Sequence, residues 1–310
     1  MTTYRNNLPQ LEEVFLTDGG IETSLIFLDG IDLPYFAAFD LLRNEEGREA
    51  LRRYYRRYID IARKRGVGFI LESATWRASP DWGAKLGYTG ESLAKANRDA
   101  VALLVELGRE ARHAKPMVVS GCVGPRGEGY DPGEAMTADE AEDYHSFQVG
   151  TFAKTEADMI SAITMTNVPE AVGVTRAAAR VGMPVSISFT LETDGKLPTG
   201  ETLEQAVRDV DDATDGAAAY FMINCAHPAH FDRVVAEGGD WLKRIGGLRA
   251  NASRRSHEEL DAAPDLDDGD PVELGRQYRD LRKSLPNMNV LGGCCGTDHR
   301  HIEEICLSCT

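Results

Sequence analysis

Cysteine is the residue type whose placement in this chain of 310 residues most directly suggests chemistry. Cys294 and Cys295 are adjacent and lie between Gly292-Gly293 and Gly296, while Cys225 follows Asn224. Adjacent cysteines cannot close an unstrained disulfide on each other. Two side chains from one glycine-flanked turn can, however, approach one metal ion. A third thiolate would then leave tetrahedral Zn²⁺ one open coordination position, as a catalytic site requires. Glycine on both sides of the doublet serves no packing purpose, which favours a ligand role. Cys225 taken alone is read equally well as a small buried residue.

The other reactive residues form weaker patterns. His227 and His230 make an H-x-x-H that reads better as the start of a helix than as a metal pair. Cys306 and Cys309 form a lone C-x-x-C near the end of the sequence, without the second pair a structural zinc site needs. Thiol redox chemistry at Cys294-Cys295 or Cys306-Cys309 is the alternative to metal binding. Six cysteines without framework spacing do not suit a secreted disulfide scaffold. The glycine-rich segments lack the Lys-Ser/Thr of a phosphate loop and do not read G-x-G-x-x-G, so nucleotide binding has no support.

Charge narrows the partners. Fifty acidic against 34 basic residues give a formal charge of −16, which repels nucleic-acid backbones. Part of the excess sits in DVDDATD (209–215) and DLDDGD (265–270), read as solvated loops. The sequence offers no apolar run of about 18 residues to span a membrane, and MTTYRNNLPQLEE lacks a signal-peptide pattern. A cytoplasmic protein acting on small molecules, with neither nucleic acid nor membrane as partner, is expected.

The elements that must position the cysteines alternate along the chain. Short apolar runs at 14–17, 68–72, 117–121, 158–163, 185–190, 220–224, 245–248 and 290–293 read as strands. Amphipathic stretches at 49–64, 91–111, 138–155, 169–181, 202–214 and 228–237, with a last one from about 297, read as helices. Eight strands interleaved with helices predict a single parallel (β/α)₈ TIM barrel over residues 1–310. The stretch 253–275 reads as an exposed acidic connection.

Barrel enzymes work at the C-terminal ends of their strands. There the sequence sets Asp18-Gly19-Gly20 after strand one and Glu72 through Ser79 after strand two. Cys122 to Gly127 follow strand three, Cys225 follows strand six, and Cys294-Cys295 follow strand eight. Trp76, Trp82, Tyr88 and Tyr130 fall in the loops after strands two and three. Trp76 is the ring best placed to meet a cationic ligand through its face.

These landmarks resemble those of the homocysteine S-methyltransferase family over essentially the whole chain. The shared residues are DGG at 18–20, the T-x-x-A-S run at 75–79, G-x-x-G-P at 121–125, NC at 224–225 and GGCCGT at 292–297. The resemblance implies a TIM barrel and Zn²⁺ held by Cys225, Cys294 and Cys295. It also implies methyl transfer from a cationic small-molecule donor to a zinc-bound thiol, with homocysteine giving methionine. Asp18 resembles the family aspartate that helps hold the amino acid, and Thr75 and Trp76, in the rim motif, are expected to contact the substrate. A zinc-bearing barrel that binds a different thiol, without homocysteine turnover, is the alternative.

One departure stands out. Many relatives place a glutamate at the end of strand four to bind the homocysteine amino group, where this chain has Ile163. Glu22 and Glu72 are acids at positions where relatives often carry glycine or an uncharged residue. Glu72, beside strand one, is the expected substitute, reaching the amino group together with Asp18.

Overall fold

The computed structural model describes residues 4–310; the first three residues of the N-terminal stretch read above lie outside them. Eight parallel strands close into a barrel in chain order: β1 (Phe15–Leu16), β2 (Gly68–Glu72), β3 (Met117–Val123), β4 (Met159–Met165), β5 (Val185–Thr190), β6 (Tyr220–Asn224), β7 (Ile245–Ala250) and β8 (Val290–Gly293). β1 closes the barrel, pairing with β2 on one side and β8 on the other.

A helix follows each strand: α1 (Glu45–Arg65), α2 (Gly90–Glu110), α3 (Ala138–Phe152), α4 (Val168–Arg180), α5 (Leu203–Thr214), α6 (Pro228–Ala236), α7 (Pro271–Leu281) and α8 (His299–Cys309). Their starts are written in the sequence. Asn44, Thr89, Thr137, Asn167, Thr202, Asp270 and Asp298 each cap a helix by accepting from backbone N–H groups of its first turn. The fold therefore agrees with the expected (β/α)₈ barrel. The stretch 253–275 is less loop-like than expected, because it contains a short helix, His257–Asp261, and the start of α7. The acidic run 209–215, read as a loop, is instead the last part of α5 and its cap.

Two apolar clusters result. The larger lies between the barrel and its helices and includes Leu71, Val119, Leu104 and Phe152. The smaller fills the interior with alternate strand residues, among them Phe15, Ile70, Val118, Met159, Ile163, Tyr220 and Met222. Large side chains fit there because neighbours are small. A Cβ on Gly68 would lie 2.5 Å from the Phe15 ring. Towards the C-terminal rim the interior turns polar. Ser120 and Ser161 hydroxyls pair at 2.7 Å, Ser186 donates to Ser161 at 3.3 Å, and Ser188 donates to Asn224 Oδ1 at 2.7 Å. Buried hydroxyls are tolerated because each has a partner.

Candidate metal centre

Cys225, Cys294 and Cys295 converge at the C-terminal rim, and their sulfur atoms lie within 4.8 Å of one another. Backbone bonds aim them. Cys225 N–H donates to the Arg249 carbonyl at 3.1 Å, and Cys294 N–H donates to the Ala250 carbonyl at 2.8 Å, so β7 holds both cysteine segments. Asn251 Nδ2 donates to the Cys225 carbonyl at 3.1 Å, and His257 Nε2 meets the same carbonyl at 2.6 Å. Cys225 has φ of 52°, a left-handed conformation that turns its side chain at the strand end and that a non-glycine residue adopts at a cost. Thr297 folds back on the doublet, its hydroxyl donating to the Cys294 carbonyl at 2.7 Å.

The sulfurs also have polar neighbours. Tyr130 Oη lies 3.5 Å from Cys295 Sγ, and Asn224 Nδ2 lies 3.8 Å from Cys294 Sγ. The Tyr130 ring stacks on His257, with centroids 3.6 Å apart. Asn224 braces the strand-four end as well, accepting from Thr164 N–H at 2.9 Å and donating to Thr164 Oγ1 at 2.8 Å. Thr164 needs that brace: its φ is 65°, where β4 bulges between Ala162 and Met165.

Three sulfurs aimed at one point suit a soft cation with thiolate ligands. They are also close enough to pair with each other. Cys225 and Cys294 are joined as a disulfide here, with Cα atoms 5.3 Å apart, and Cys295 Sγ lies 4.0 Å from Cys225 Sγ. The sequence excluded a bond between the adjacent pair but did not foresee this one, which depends on β6 and β8 meeting at the rim. Burial pushes the Cys295 thiol up to about 11. A metal would therefore have to displace a proton there, and the reduced trio is the form fitted to bind one.

His227 and His230 are not part of the cluster. His227 caps α6, its Nδ1 accepting from Ala229 N–H at 3.1 Å, while His230 Nε2 meets the Arg254 carbonyl at 2.9 Å. Cys306 and Cys309 lie on α8, away from the rim.

Homocysteine S-methyltransferase is the family whose profile matches residues 15–309. The chain belongs to the homocysteine S-methyltransferase family. By family it is an S-methyltransferase. Its fold is similar to that of the Escherichia coli homocysteine methyltransferase MmuM. The oxidised form is 18% identical with a TM-score of 0.72, over 98% of this chain and 99% of that one. The metallated form is also 18% identical with a TM-score of 0.72, over 96% of each chain. The apo form is 19% identical with a TM-score of 0.63, over 98% of each. Comparison with curated protein sequences gave no match.

Around the cysteines, this family member carries an ion cluster that the sequence reading missed. Arg249, on the interior face of β7, donates from Nη2 to Asp18 at 2.7 Å and from Nη1 to Glu72 at 2.7 Å. Its Nε donates to the Gly293 carbonyl at 3.0 Å. Tyr54 Oη donates to the second oxygen of Asp18 at 3.0 Å. Burial pushes both carboxylates up and Arg249 opposes this. Burial alone would lower Arg249, but Asp18 and Glu72 hold it above its ordinary value. The partner expected for Asp18 and Glu72 was a substrate amino group; the structure gives them an internal guanidinium. Only the placement of Arg249 two residues after Gly247, on the inward face of a strand, could have signalled it.

The remaining expected contacts are placed as follows. Thr75 is fully buried, and its hydroxyl donates to the Cys122 carbonyl at 2.7 Å, which shapes the loop. Trp76 is partly exposed, with Nε1 donating to the Ile163 carbonyl at 3.2 Å. The Arg77 guanidinium carbon lies 4.1 Å from the Trp76 ring centroid and 3.7 Å from that of Trp82. A cation of the protein itself thus stacks on both indoles. Ile163 belongs to the interior apolar cluster, so the end of β4 offers no carboxylate. Among the described residues no helix is long and apolar enough to cross a membrane.

Proposed function

We propose that this protein transfers a methyl group from a cationic small-molecule donor to the sulfur of a thiol acceptor, homocysteine, with Zn²⁺ held by Cys225, Cys294 and Cys295. The observation that carries this reading is the convergence of three sulfurs within 4.8 Å, from two strands, at the rim of the barrel. Donor set and location suit a catalytic zinc with one position left for substrate.

When bound, the ion would lower the acceptor thiol's pKa, supplying a thiolate at neutral pH without a general base. The chain's own residues do the rest. Asn224 and Tyr130 stand within reach of two ligand sulfurs and fix their orientation. Arg249 and Tyr54 hold Asp18 at the wall, and Thr75 and Trp76 shape the neighbouring loop after β2. The acceptor sulfur attacks the donor methyl carbon in line. The new S–C bond takes the sulfur lone pair, and the old bond's electrons neutralise the donor's onium centre. The protein contributes alignment more than proton transfer.

The test is to load the reduced protein with zinc, then offer homocysteine with S-methylmethionine, S-adenosylmethionine or betaine, reading methionine by mass. Zinc X-ray absorption should pass from a three-sulfur to a four-sulfur environment on adding homocysteine. No product from any donor, together with an unchanged spectrum, would overturn the reading.

A further inference from the structure

The C-terminal rim holds three carboxylates close to the cysteines, and they are not equivalent. Asp18 and Glu72 share Arg249, and Asp18 also accepts from Tyr54. The third is Glu22, on the short helical turn Ile21–Thr23 that follows β1. It has no side-chain hydrogen bond or ion pair among the described residues, and only its own backbone N–H faces it. Burial, followed by the Asp18 charge, raises it to about 7.

The turn that carries Glu22 is clamped to the cysteine doublet. Gly20 N–H donates to the Thr297 carbonyl at 3.0 Å, and Gly296 N–H donates to Thr23 Oγ1 at 3.2 Å. The approach is so close that a Cβ on Gly20 would lie 2.5 Å from the Cys294 carbonyl oxygen. The charges that bear on Glu22 are Asp18, Arg77 and Arg249, and Glu22 in turn bears on the Cys122 and Cys295 thiols. Gly20 and Thr23, which flank Ile21 and Glu22 on the turn, both touch the Cys294–Thr297 segment, so the turn that carries Glu22 stands at the barrel mouth beside the cysteine doublet.

We propose that Glu22 is the specificity-determining carboxylate of this enzyme, receiving the ammonium group of an amino-thiol acceptor whose sulfur sits at the cysteine cluster. The proposal rests on the thiol-methylation reading above. Geometry favours Glu22 over Asp18, both of whose oxygens are already bonded, by Arg249 and Tyr54, and over Glu72, which keeps one oxygen without a partner but is tied through the other to the Arg249 guanidinium. Energetics favour the acceptor over the donor. An onium donor loses its charge as the methyl leaves, so a fixed carboxylate against it would stabilise the ground state more than the transition state. The acceptor's ammonium keeps its charge throughout, and a half-buried carboxylate beside it helps binding without opposing the reaction.

The experiment measures dissociation constants of L-homocysteine and of 4-mercaptobutyrate, the same thiol without the amino group, on the zinc-loaded full-length protein by calorimetry. Wild type should prefer homocysteine by roughly ten- to a hundredfold, the range of one charge-assisted bond. Glu22→Gln should lose most of that preference by weakening homocysteine alone, and Glu22→Asp should keep part of it. Zinc content and circular dichroism verify each variant, and Glu22→Ser replaces Glu22→Gln if that protein does not hold zinc. Equal binding of both thiols by wild type, or an undiminished preference in the Glu22 variants, would overturn the proposal while leaving thiol methylation standing. Binding of neither thiol to fully zinc-loaded wild type would instead remove the functional reading and this proposal with it.

Discussion

Arg249 bridges Asp18 and Glu72 with one terminal nitrogen each, at 2.7 Å, so a single cation from β7 is shared by carboxylates that follow β1 and end β2. Its Nε and its backbone carbonyl reach the two segments that carry the cysteines, at Gly293 and Cys225. The ion cluster and the cysteine cluster therefore share a scaffold.

Replacing Arg249 by Met should leave two buried carboxylates unpaired. Removing one partner of a buried ion pair costs about 3–5 kcal/mol, so the urea midpoint at pH 7 should fall by a corresponding amount. Adding Asp18→Asn and Glu72→Gln to Arg249→Met should recover much of the loss. An additive triple variant, with no recovery, would show that the three side chains do not act as a unit.

Zinc should bind the reduced protein at about one ion per chain. Cys225→Ser, Cys294→Ser and Cys295→Ser should each lose most of it to a competing chelator, whereas His227→Ala and His230→Ala should retain it. Atomic absorption after gel filtration checks this, and full occupancy in all three cysteine variants would contradict the assignment. Protein oxidised to the Cys225–Cys294 disulfide should bind zinc only after reduction.

Asn224→Ala should be costly twice over. It removes the side chain that accepts from Thr164 N–H and Ser188 Oγ, leaving buried donors unmatched at about 1–3 kcal/mol each. It also frees the left-handed Thr164 turn beside the sulfurs. Thermal unfolding should show the stability loss, and zinc affinity should fall in the same variant. Asn224→Asp, which keeps the acceptor oxygen, should lose less stability.

His227 supplies a pH signature. Burial, then the nearby Arg254 and His230 charges, lowers it to about 4, while an unfolded histidine titrates near 6.5. The unfolded chain therefore takes up this proton first as pH falls. Stability is lost from about pH 6.5 down to about pH 4, and is unaffected above that window. Between pH 7 and pH 5 the contribution is about 2 kcal/mol. His227→Asn, which can still cap α6, should show a shallower loss over that interval in urea titrations. Equal slopes for the two proteins would refute the assignment.

The sequence by itself determined the architecture and which three cysteines meet at the barrel rim. Hydrophobic runs of strand length, alternating with capped amphipathic helices, admit few solutions, and the rim motifs mark where strands end. Local chemistry explains that legibility: periodicity and caps act within a few residues of chain. The strand ends were harder to place, with β3, β4 and β7 running further than their apolar runs. The extra residues of β7 include Arg249, a charged side chain that lies beyond the apolar run 245–248.

What only the tertiary structure decided is the pairing of charges. Whether Glu72 is free or neutralised depends on which residue faces it from a strand 177 positions away, and nothing local to Glu72 carries that information. The same holds for the disulfide, whose partners are 69 residues apart and meet because β6 and β8 both flank β7. A buried carboxylate cannot stay charged without compensation, so the fold had to supply a cation to Asp18 and Glu72. Arg77 and Arg249 act on Glu22 without a direct hydrogen bond to it, and that difference from Asp18 and Glu72 is invisible in the order of residues.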